Sequence, residues 1–479
     1  CLPFSSPPGR LHDKGLMAPP LPQPGTVYLV GAGPGAPGLI TQRGRELVEH
    51  CDVLVYDYLV HERIIGLRRA DCEAIYVGKR PRLHTIPQEE IEKMLLERAQ
   101  AGKSVVRLKG GDPLIYGRGG EEARRLRAHG IPFEIVPGVT AAIASAAYGG
   151  FPLTDRTVSS AVLFLTGHED PERQQMRVNF RDYAKSGGTV CVYMGMGNLP
   201  KIVAQLREGG MPEATPAAVV QWASLGRQRL AEATLGTIEA KVAEAGLGAP
   251  AVIVFGEVVK MLGQLAWFTE RPLAGKRVVV TRGRAQAGEL SNLLEDAGAE
   301  VLELPLIEVR RDVDPATADE VLGELATYEW LVFTSANGVK YFFEAFFEKF
   351  RDLRCLGPMR IAAIGASTAR AVEGYHLQVD VVPGENIAED LAQAIMDFES
   401  VEHRQILVIT GNRNRDALVK KLEEDGGAIV DTFQVYRTEL ADLSGDPAAR
   451  AFTEEGADAI TFTSSSTAKS FAKQAKALV

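Results

Sequence analysis

The sequence predicts an α/β protein made of two successive units, each carrying largely parallel strands covered by helices. Three observations carry that expectation. Short β-branched runs alternate with amphipathic helical patterns from Val27 onward. Many of these runs end in Gly, Ser, Thr or Asp just before the next helix. The periodicity lapses in GQLAWFTERPLAGK at 263–276, after which KRVVVT restarts the alternation. With 479 residues the chain is too long for one core to keep growing, which agrees with two or more domains.

Taken in order, residues 1–24 hold seven prolines and little apolar period, which predicts a disordered leader. Because Cys1 opens the chain and Met17 precedes APPLPQPGTVYLV, Met17 is expected to be the natural start. The runs VYLV, DVLVY, AIYV, SVVRL and FEIV predict the strands of a first lobe ending near Pro137. AVLFLT, TVCVYM, AAVV and AVIVF predict those of a second, ending near Val259. QEEIEKMLLERAQAG reads as a helix entered at Pro87 and left at Gly102. The expected domains are 25–262, with lobes about 25–137 and 138–262, a linker at 263–275, and a second unit at 276–479. In that unit WLVFTSANG, RIAAIGAST, QILVITGNRNR and AITFTSSST each place small hydroxyl or glycine residues between a strand and a helix. Such turns expose N–H groups that suit carboxylates or phosphates, although small residues at strand ends are also ordinary in α/β folds. FTSAN at 333–337 returns as FTSSS at 462–466, which hints at an internally duplicated, two-lobed unit.

A net charge of −9 argues against a nucleic-acid coat or a polybasic membrane binder, so an anionic substrate must meet a local basic patch. The five cysteines form no CxxC pair and no zinc-spaced cluster with histidine, so no metal is expected and a reducing cytoplasm fits. No apolar run reaches the roughly 18 residues of a membrane span, and the opening stretch lacks a signal-peptide pattern. The expected partners are therefore small molecules rather than nucleic acid or membrane.

The loop in VYLVGAGPGAPGLIT raises a specific alternative. Gly31-x-Gly33-x-x-Ala36 satisfies the dinucleotide fingerprint, and Asp57 lies near the distance at which a ribose-binding acid is wanted, which is the pattern of a Rossmann oxidoreductase. Two other stretches compete with it. RLKGGDPLIYGRGGEE at 107–122 crowds glycines around one strand end, where backbone must approach a ligand or take positive φ. Pro113 restricts Asp112 to an extended conformation. IVPGVTAAIASAAYGG at 135–150 then gives a strand, a turn and a helix of small residues that permits close approach of a flat ligand.

GAGPG, VYDYLV, VGKR followed by His84 and QEEI, RLKGGDPLIYGRGGEE, VPGVTAA and VYMGM stand in the order and spacing of the uroporphyrinogen-III C-methyltransferases. Over about residues 25–262 the chain thus resembles the tetrapyrrole methylase family. The resemblance implies a two-lobed fold, a homodimer, and S-adenosylmethionine bound in the cleft between the lobes. It also implies methylation of two ring carbons of uroporphyrinogen III to precorrin-2, with GAGPG lining the cleft rather than binding a pyrophosphate. It assigns active-site roles to Asp57 and Lys79. It assigns cofactor contacts to Pro34, Gly110, Gly111, Asp112, Ile115, Thr140, Ala141, Met194 and Ala223. Lys79, Arg80, Arg82, His84, Arg107, Lys109 and Arg118 cluster around the same motifs and are expected to form a basic rim for the substrate's carboxylates. Tyr58 stands where arginine is frequent in relatives, and Ala223 where some have glycine.

KRVVVTRGRAQAGELSNLLEDAGAEVLELPLIEV, TSANGV, AAIGASTARAVEGY and VYRTE followed by ADAITFTSSST resemble the uroporphyrinogen-III synthase family. This implies a two-lobed parallel-sheet α/β domain that closes hydroxymethylbilane to uroporphyrinogen III with loss of water. Tyr436 matches a tyrosine proposed to help water leave. Thr334, Ser335, Asn337, Ser464, Ser465 and the N–H groups around Gly365 and Gly411 are candidates for grasping substrate. The chain stops in AKSFAKQAKALV where relatives continue, so the synthase domain is expected to be incomplete and impaired. The combined expectation is a bifunctional enzyme of sirohaem or cobalamin precursor synthesis. A non-catalytic tetrapyrrole-binding second unit and a Rossmann oxidoreductase are the alternatives.

Overall fold

The computed structural model describes residues 21–78, 86–167, 178–282, 284–413, 417–443, 446–463 and 465–478. The chain divides into two compact units, Cys1–Arg277 with Leu293–Glu300, and Val278–Asn292 with Val301–Val479.

The first unit holds two five-stranded sheets. Strands β1 (Val27–Gly31), β2 (Val53–Tyr56), β3 (Glu73–Tyr76), β4 (Val105–Lys109) and β5 (Phe133–Val136) pair in the order β3-β2-β4-β1-β5, all parallel. Their apolar runs are nearly continuous because both faces are covered. Tyr28, Val30, Leu54, Val106 and Leu108 pack on one side, and Val27, Leu29, Val53, Val55 and Val105 on the other. The helix Gln88–Gln100 has Pro87 at its N-cap and Gly102 at φ +77° just past its end, as the sequence predicts.

The second sheet departs from the expected parallel arrangement. Strands β6 (Val162–Thr166), β7 (Thr189–Tyr193), β8 (Pro216–Gln221), β9 (Arg229–Thr234) and β10 (Ala251–Phe255) pair in the order β6-β7-β10-β8-β9. Only β6 and β7 are parallel; β10 runs antiparallel between β7 and β8, and β8 pairs antiparallel with β9. The turn from β8 to β9 is too short for the crossover that a parallel neighbour requires. Strand β9 is absent from the sequence reading because RLAEAT is a largely polar edge strand with a single neighbour.

The second unit also contains two sheets. Its strands are β11 (Arg277–Val280), β12 (Glu300–Glu303), β13 (Ile307–Arg311), β14 (Trp330–Phe333), β15 (Arg360–Ala363), β16 (Gln405–Gly411), β17 (Ile429–Leu440) and β18 (Ala459–Thr461). One sheet has the order β12-β11-β18 and the other β13-β17-β16-β14-β15. The pairs β11–β18, β14–β15, β14–β16 and β16–β17 are parallel, and β13 runs antiparallel to β17. The first FTS triplet closes β14 and leads into the helix Ala336–Lys349; in the other sheet Phe462 and Thr463 follow β18 ahead of the helix Ser465–Leu478. The larger core is aromatic, with Phe333, Phe342, Phe343, Phe346 and Phe433 fully buried. Among the described residues no helix is long and apolar enough to cross a membrane, and no group of three or more His, Cys, Asp or Glu could hold a metal ion.

Candidate active sites

In the first unit the loops after β1, β4 and β5 cross at backbone contact. Gly33 N–H donates to Gly111 O at 3.2 Å and Gly111 N–H to Gly33 O at 2.7 Å, with φ of +79° and +69° at these two residues. A Cβ on Gly31 would lie 2.6 Å from Gly111 O, and one on Gly138 would lie 2.2 Å from the same oxygen. The glycines of three separate motifs thus serve one crossing, and any side chain there would push the loops apart.

The same contacts answer the dinucleotide alternative. Ala32 N–H donates to Lys109 O at 2.8 Å, Gly33 N–H to Gly111 O, and Ala36 N–H to the Ser224 hydroxyl at 3.1 Å. The following α-helix starts only at Gln42, where Thr41 Oγ1 accepts from Gly44 N–H at 3.1 Å. These three N–H groups of the loop are engaged inside the protein, and the α-helix N-terminus is set back from the loop.

The expected cofactor residues gather around this crossing. Asp112 Oδ1 accepts from Leu114 N–H at 2.8 Å and Oδ2 from Gly138 N–H at 3.0 Å, so its carboxylate ties two of the loops together. Gly110 lies against Leu59, whose Cβ would be 2.9 Å from an added methyl group. Pro34 sits between Gly33 and Gly35, and Gly35 abuts Leu225. Ala223 is buried between Trp222 and Ser224, both at positive φ. Thr140 Oγ1 shares a 2.8 Å hydrogen bond with Tyr193 Oη, which also accepts from Ala142 N–H at 3.1 Å. Tyr193 therefore closes the N-terminus of the helix Ala141–Gly149, a role the sequence reading missed. Its signal was a phenol at a strand end directly before Met194. Leu59, Leu114, Ile115 and Met194 are 36 to 53% exposed. Tyr116 donates its hydroxyl to Phe164 O at 2.6 Å. Bare glycine backbone beside exposed apolar side chains fits a flat, partly apolar ligand such as an adenosyl group.

Asp57 directly follows β2, and Arg107 on the neighbouring β4 donates from Nη2 to its Oδ1 at 2.6 Å. Arg107 Nε reaches Glu122 Oε1 at 3.3 Å, and Lys109 Nζ reaches the two oxygens of Glu122 at 2.9 and 3.2 Å. This overturns part of the expected basic rim. Arg107 and Lys109 are buried under the helix Gly119–Ala128, because residues two apart on a strand share a face and this face is covered. Burial and the charge of Arg107 pull the Lys109 ammonium below its usual pKa, against the pull of Glu122. Arg118 does remain exposed, paired with Glu121 at 2.7 Å. Lys79, Arg80, Arg82 and His84 lie outside the described residues.

In the second unit the ends of β14 and β16 and the middle of β17 bring together Ser335, Gly411 and Tyr436. Ser335 Oγ donates to Tyr436 Oη at 3.0 Å while accepting from Gly338 N–H at 2.9 Å, which caps the helix Ala336–Lys349. An added Cβ on Gly411 would lie 2.4 Å from the Tyr436 ring, so glycine there makes room for the phenol. Thr334 Oγ1 donates to Ile409 O at 2.9 Å and so helps join β14 to β16. Asn337 lies in the first turn of that helix. Gly365 precedes the helix Ala366–Glu373 and faces the Asn386 amide. Ser464 lies outside the described residues, and Ser465 begins the last helix.

Two family models match the chain: tetrapyrrole (corrin/porphyrin) methylases over residues 26–239, and uroporphyrinogen-III synthase over 288–478. The porphyrin biosynthesis protein HemD of Ruminiclostridium josui is 36% identical over 93% of this chain and 88% of its own length. The uroporphyrinogen-III C-methyltransferase of Bacillus subtilis is 39% identical over 69% of this chain and 68% of its own. Among solved structures, a Thermus thermophilus uroporphyrin-III C-methyl transferase complexed with S-adenyl homocysteine is 39% identical, covering 49% of this chain and 99% of that one with a TM-score of 0.42. The chain belongs to the tetrapyrrole methylase family, joined to a uroporphyrinogen-III synthase domain, and is a bifunctional enzyme of tetrapyrrole biosynthesis.

Proposed function

We propose that the first unit methylates uroporphyrinogen III at two ring carbons, giving precorrin-2, with S-adenosylmethionine as donor. The observation that carries this reading is a carboxylate, Asp57, pinned by a buried arginine in the same lobe as a glycine crossing with exposed apolar side chains. Bound there, S-adenosylmethionine supplies an electrophilic methyl group. Pro34, Gly110, Gly111, Asp112, Ile115, Thr140, Ala141, Met194 and Ala223 hold and orient it. Positioning of this kind is worth roughly 7–11 kcal/mol when the reacting pair is well aligned. Asp57 Oδ1 is held by Arg107, which leaves Oδ2 to take the proton released from the methylated ring. Lys79, Arg80, Arg82, His84 and Arg118 meet the substrate's carboxylates. The enzyme works as a cytoplasmic homodimer formed through this unit. Incubation with uroporphyrinogen III and S-adenosylmethionine should yield the dimethylated chromophore; failure to bind labelled donor or to form that product overturns the reading.

The second unit, on the same proposal, closes hydroxymethylbilane to uroporphyrinogen III. Ser335 and Tyr436 form a hydroxyl pair at the N-terminus of the helix Ala336–Lys349, which suits a flexible polycarboxylate and a departing water. Thr334, Asn337, Ser464 and Ser465 complete the grasp. Adding hydroxymethylbilane should give the type III ring; tetrapyrrole binding without ring closure would instead mark the unit as a scaffold.

A further inference from the structure

We propose that Glu122 is a positioning residue for methyl transfer, holding Arg107 in the orientation that fixes the Asp57 carboxylate. The inference rests on the role proposed above for Asp57 and extends it to residues that do not reach the substrate.

Four charges meet at the carboxyl end of β4: Asp57, Arg107, Lys109 and Glu122. Glu122 is fully buried, while Arg107 and Lys109 are 2 and 3% exposed. Asp57 is the member that reaches outward, with 29% of its side chain exposed. Glu122 Oε1 accepts from Arg107 Nε, from Lys109 Nζ and from Gln88 Nε2, the last at 3.1 Å. Arg107 Nη1 reaches the carbonyls of Val55 and Leu108 at 3.5 and 3.3 Å, so the guanidinium is tethered on three sides before it touches Asp57.

Stability alone gives no reason for this arrangement. Burying charges in a central parallel strand carries a desolvation penalty that the pairing often fails to offset, and apolar residues of similar size serve such positions as well or better. The geometry has a direction instead. The buried members stack behind Arg107, and Arg107 presents one Nη to the partly exposed carboxylate. A guanidinium held by the Glu122 carboxylate and two carbonyls fixes the position of Asp57 Oδ1, which a free strand-end aspartate would lose by rotating about χ1 and χ2. Replacing the Glu122 carboxylate by a neutral amide weakens the charge-assisted hold on Nε and lets Arg107 follow Asp57 rather than hold it.

The test uses the full chain. Glu122→Gln should lower kcat for methyl transfer at least tenfold while the Kd for S-adenosylmethionine changes less than twofold. Because this variant leaves a net buried charge, the pair Lys109→Met with Glu122→Gln is the companion. It removes both signs, so it should regain thermal stability yet keep the low kcat. Recovery of kcat in the double variant, or an unchanged kcat in the single one, overturns the proposal. If the wild-type chain does not turn over uroporphyrinogen III, the functional reading fails separately, and the network is judged on a thermal double-mutant cycle between Asp57→Asn and Glu122→Gln. Non-additive shifts in Tm support coupling through Arg107; additive shifts overturn it.

Discussion

The strand ends of the two units are built from different materials. In the first unit the ends of β1, β4 and β5 are locked by glycine backbones in contact and backed by four buried or half-buried charges. In the second the ends of β14 and β16 and the middle of β17 are joined by hydroxyls, Thr334 to Ile409 O and Ser335 to Tyr436. A parallel sheet therefore supports two kinds of site. A donor that must be aligned to a fraction of an ångström favours rigid backbone and a fixed charge, whereas folding a long flexible polyanion favours many modest donors.

The largest effect expected from this contrast is on stability. Gly138→Ala puts a methyl group 2.2 Å from a backbone oxygen that Gly111 cannot withdraw without breaking its bridge to Gly33. It should cost about 3 kcal/mol or more, the upper end of overpacking changes. Gly365→Ala meets the Asn386 amide at a similar nominal distance, 2.4 Å, but a side chain can rotate away, so about 1 kcal/mol or less is expected. Thermal unfolding of the two variants decides the matter. Equal losses would mean that the first unit is no more rigid at its strand ends than the second.

Next in size is the chemistry. Asp57→Ala should reduce methyl transfer by roughly 10²–10⁴-fold, the usual contribution of a placed base, and leave ring closure of hydroxymethylbilane unchanged. Both rates can be read on one preparation. Methyl transfer above a tenth of wild type would move the proton acceptor elsewhere, and a matching loss of ring closure would show that the two units do not act independently.

A smaller effect concerns pH. His61 Nδ1 accepts from Arg63 N–H at 3.2 Å, and burial, with Arg63 and Arg227 nearby, pushes its pKa down to about 4. The unfolded chain binds this proton more readily than the folded one, near pH 6.5. Its contribution is therefore complete above pH 6.5 and is lost as pH falls toward 4, by up to about 3 kcal/mol. His61→Asn can keep the cap and removes the titration. It should flatten the acid side of the Tm profile of the first unit; an unaltered profile would show that His61 does not titrate on unfolding.

Much of this was legible in the sequence where local pattern and tertiary role coincide. The parallel lobe could be read because strands covered on both faces are continuously apolar, and the crossing could be suspected because glycines crowd three strand ends. Three features escaped for physical reasons. Strand β9 has no apolar run, since an edge strand with polar residues buries little. The reversal of β10 depends on which neighbours it joins, and VIVF reads the same in either direction. Arg107 and Lys109 read as part of the basic rim because they cluster with the other basic residues near strand ends, whereas both lie within β4 itself. Only the fold brings Glu122, thirteen residues beyond Lys109, over the same face of β4.

The finest test falls on the neutral site. Tyr436→Phe keeps the ring against Gly411 and Tyr341 and removes only the hydroxyl that accepts from Ser335. Ser335 continues to cap its helix through Gly338 N–H, and the turn is only half-buried, so the loss should be about 0.5–1.5 kcal/mol. Ring closure should nonetheless slow by roughly 10²-fold if the phenol assists departure of water, the lower end for a general acid. The two readouts separate the roles of this residue. A Tm shift of that size with unchanged ring closure would make Tyr436 a packing residue that merely fills the space Gly411 leaves open. A slowed reaction with a nearly unchanged Tm would place the phenol in the chemistry, a neutral counterpart to the held charge of Asp57.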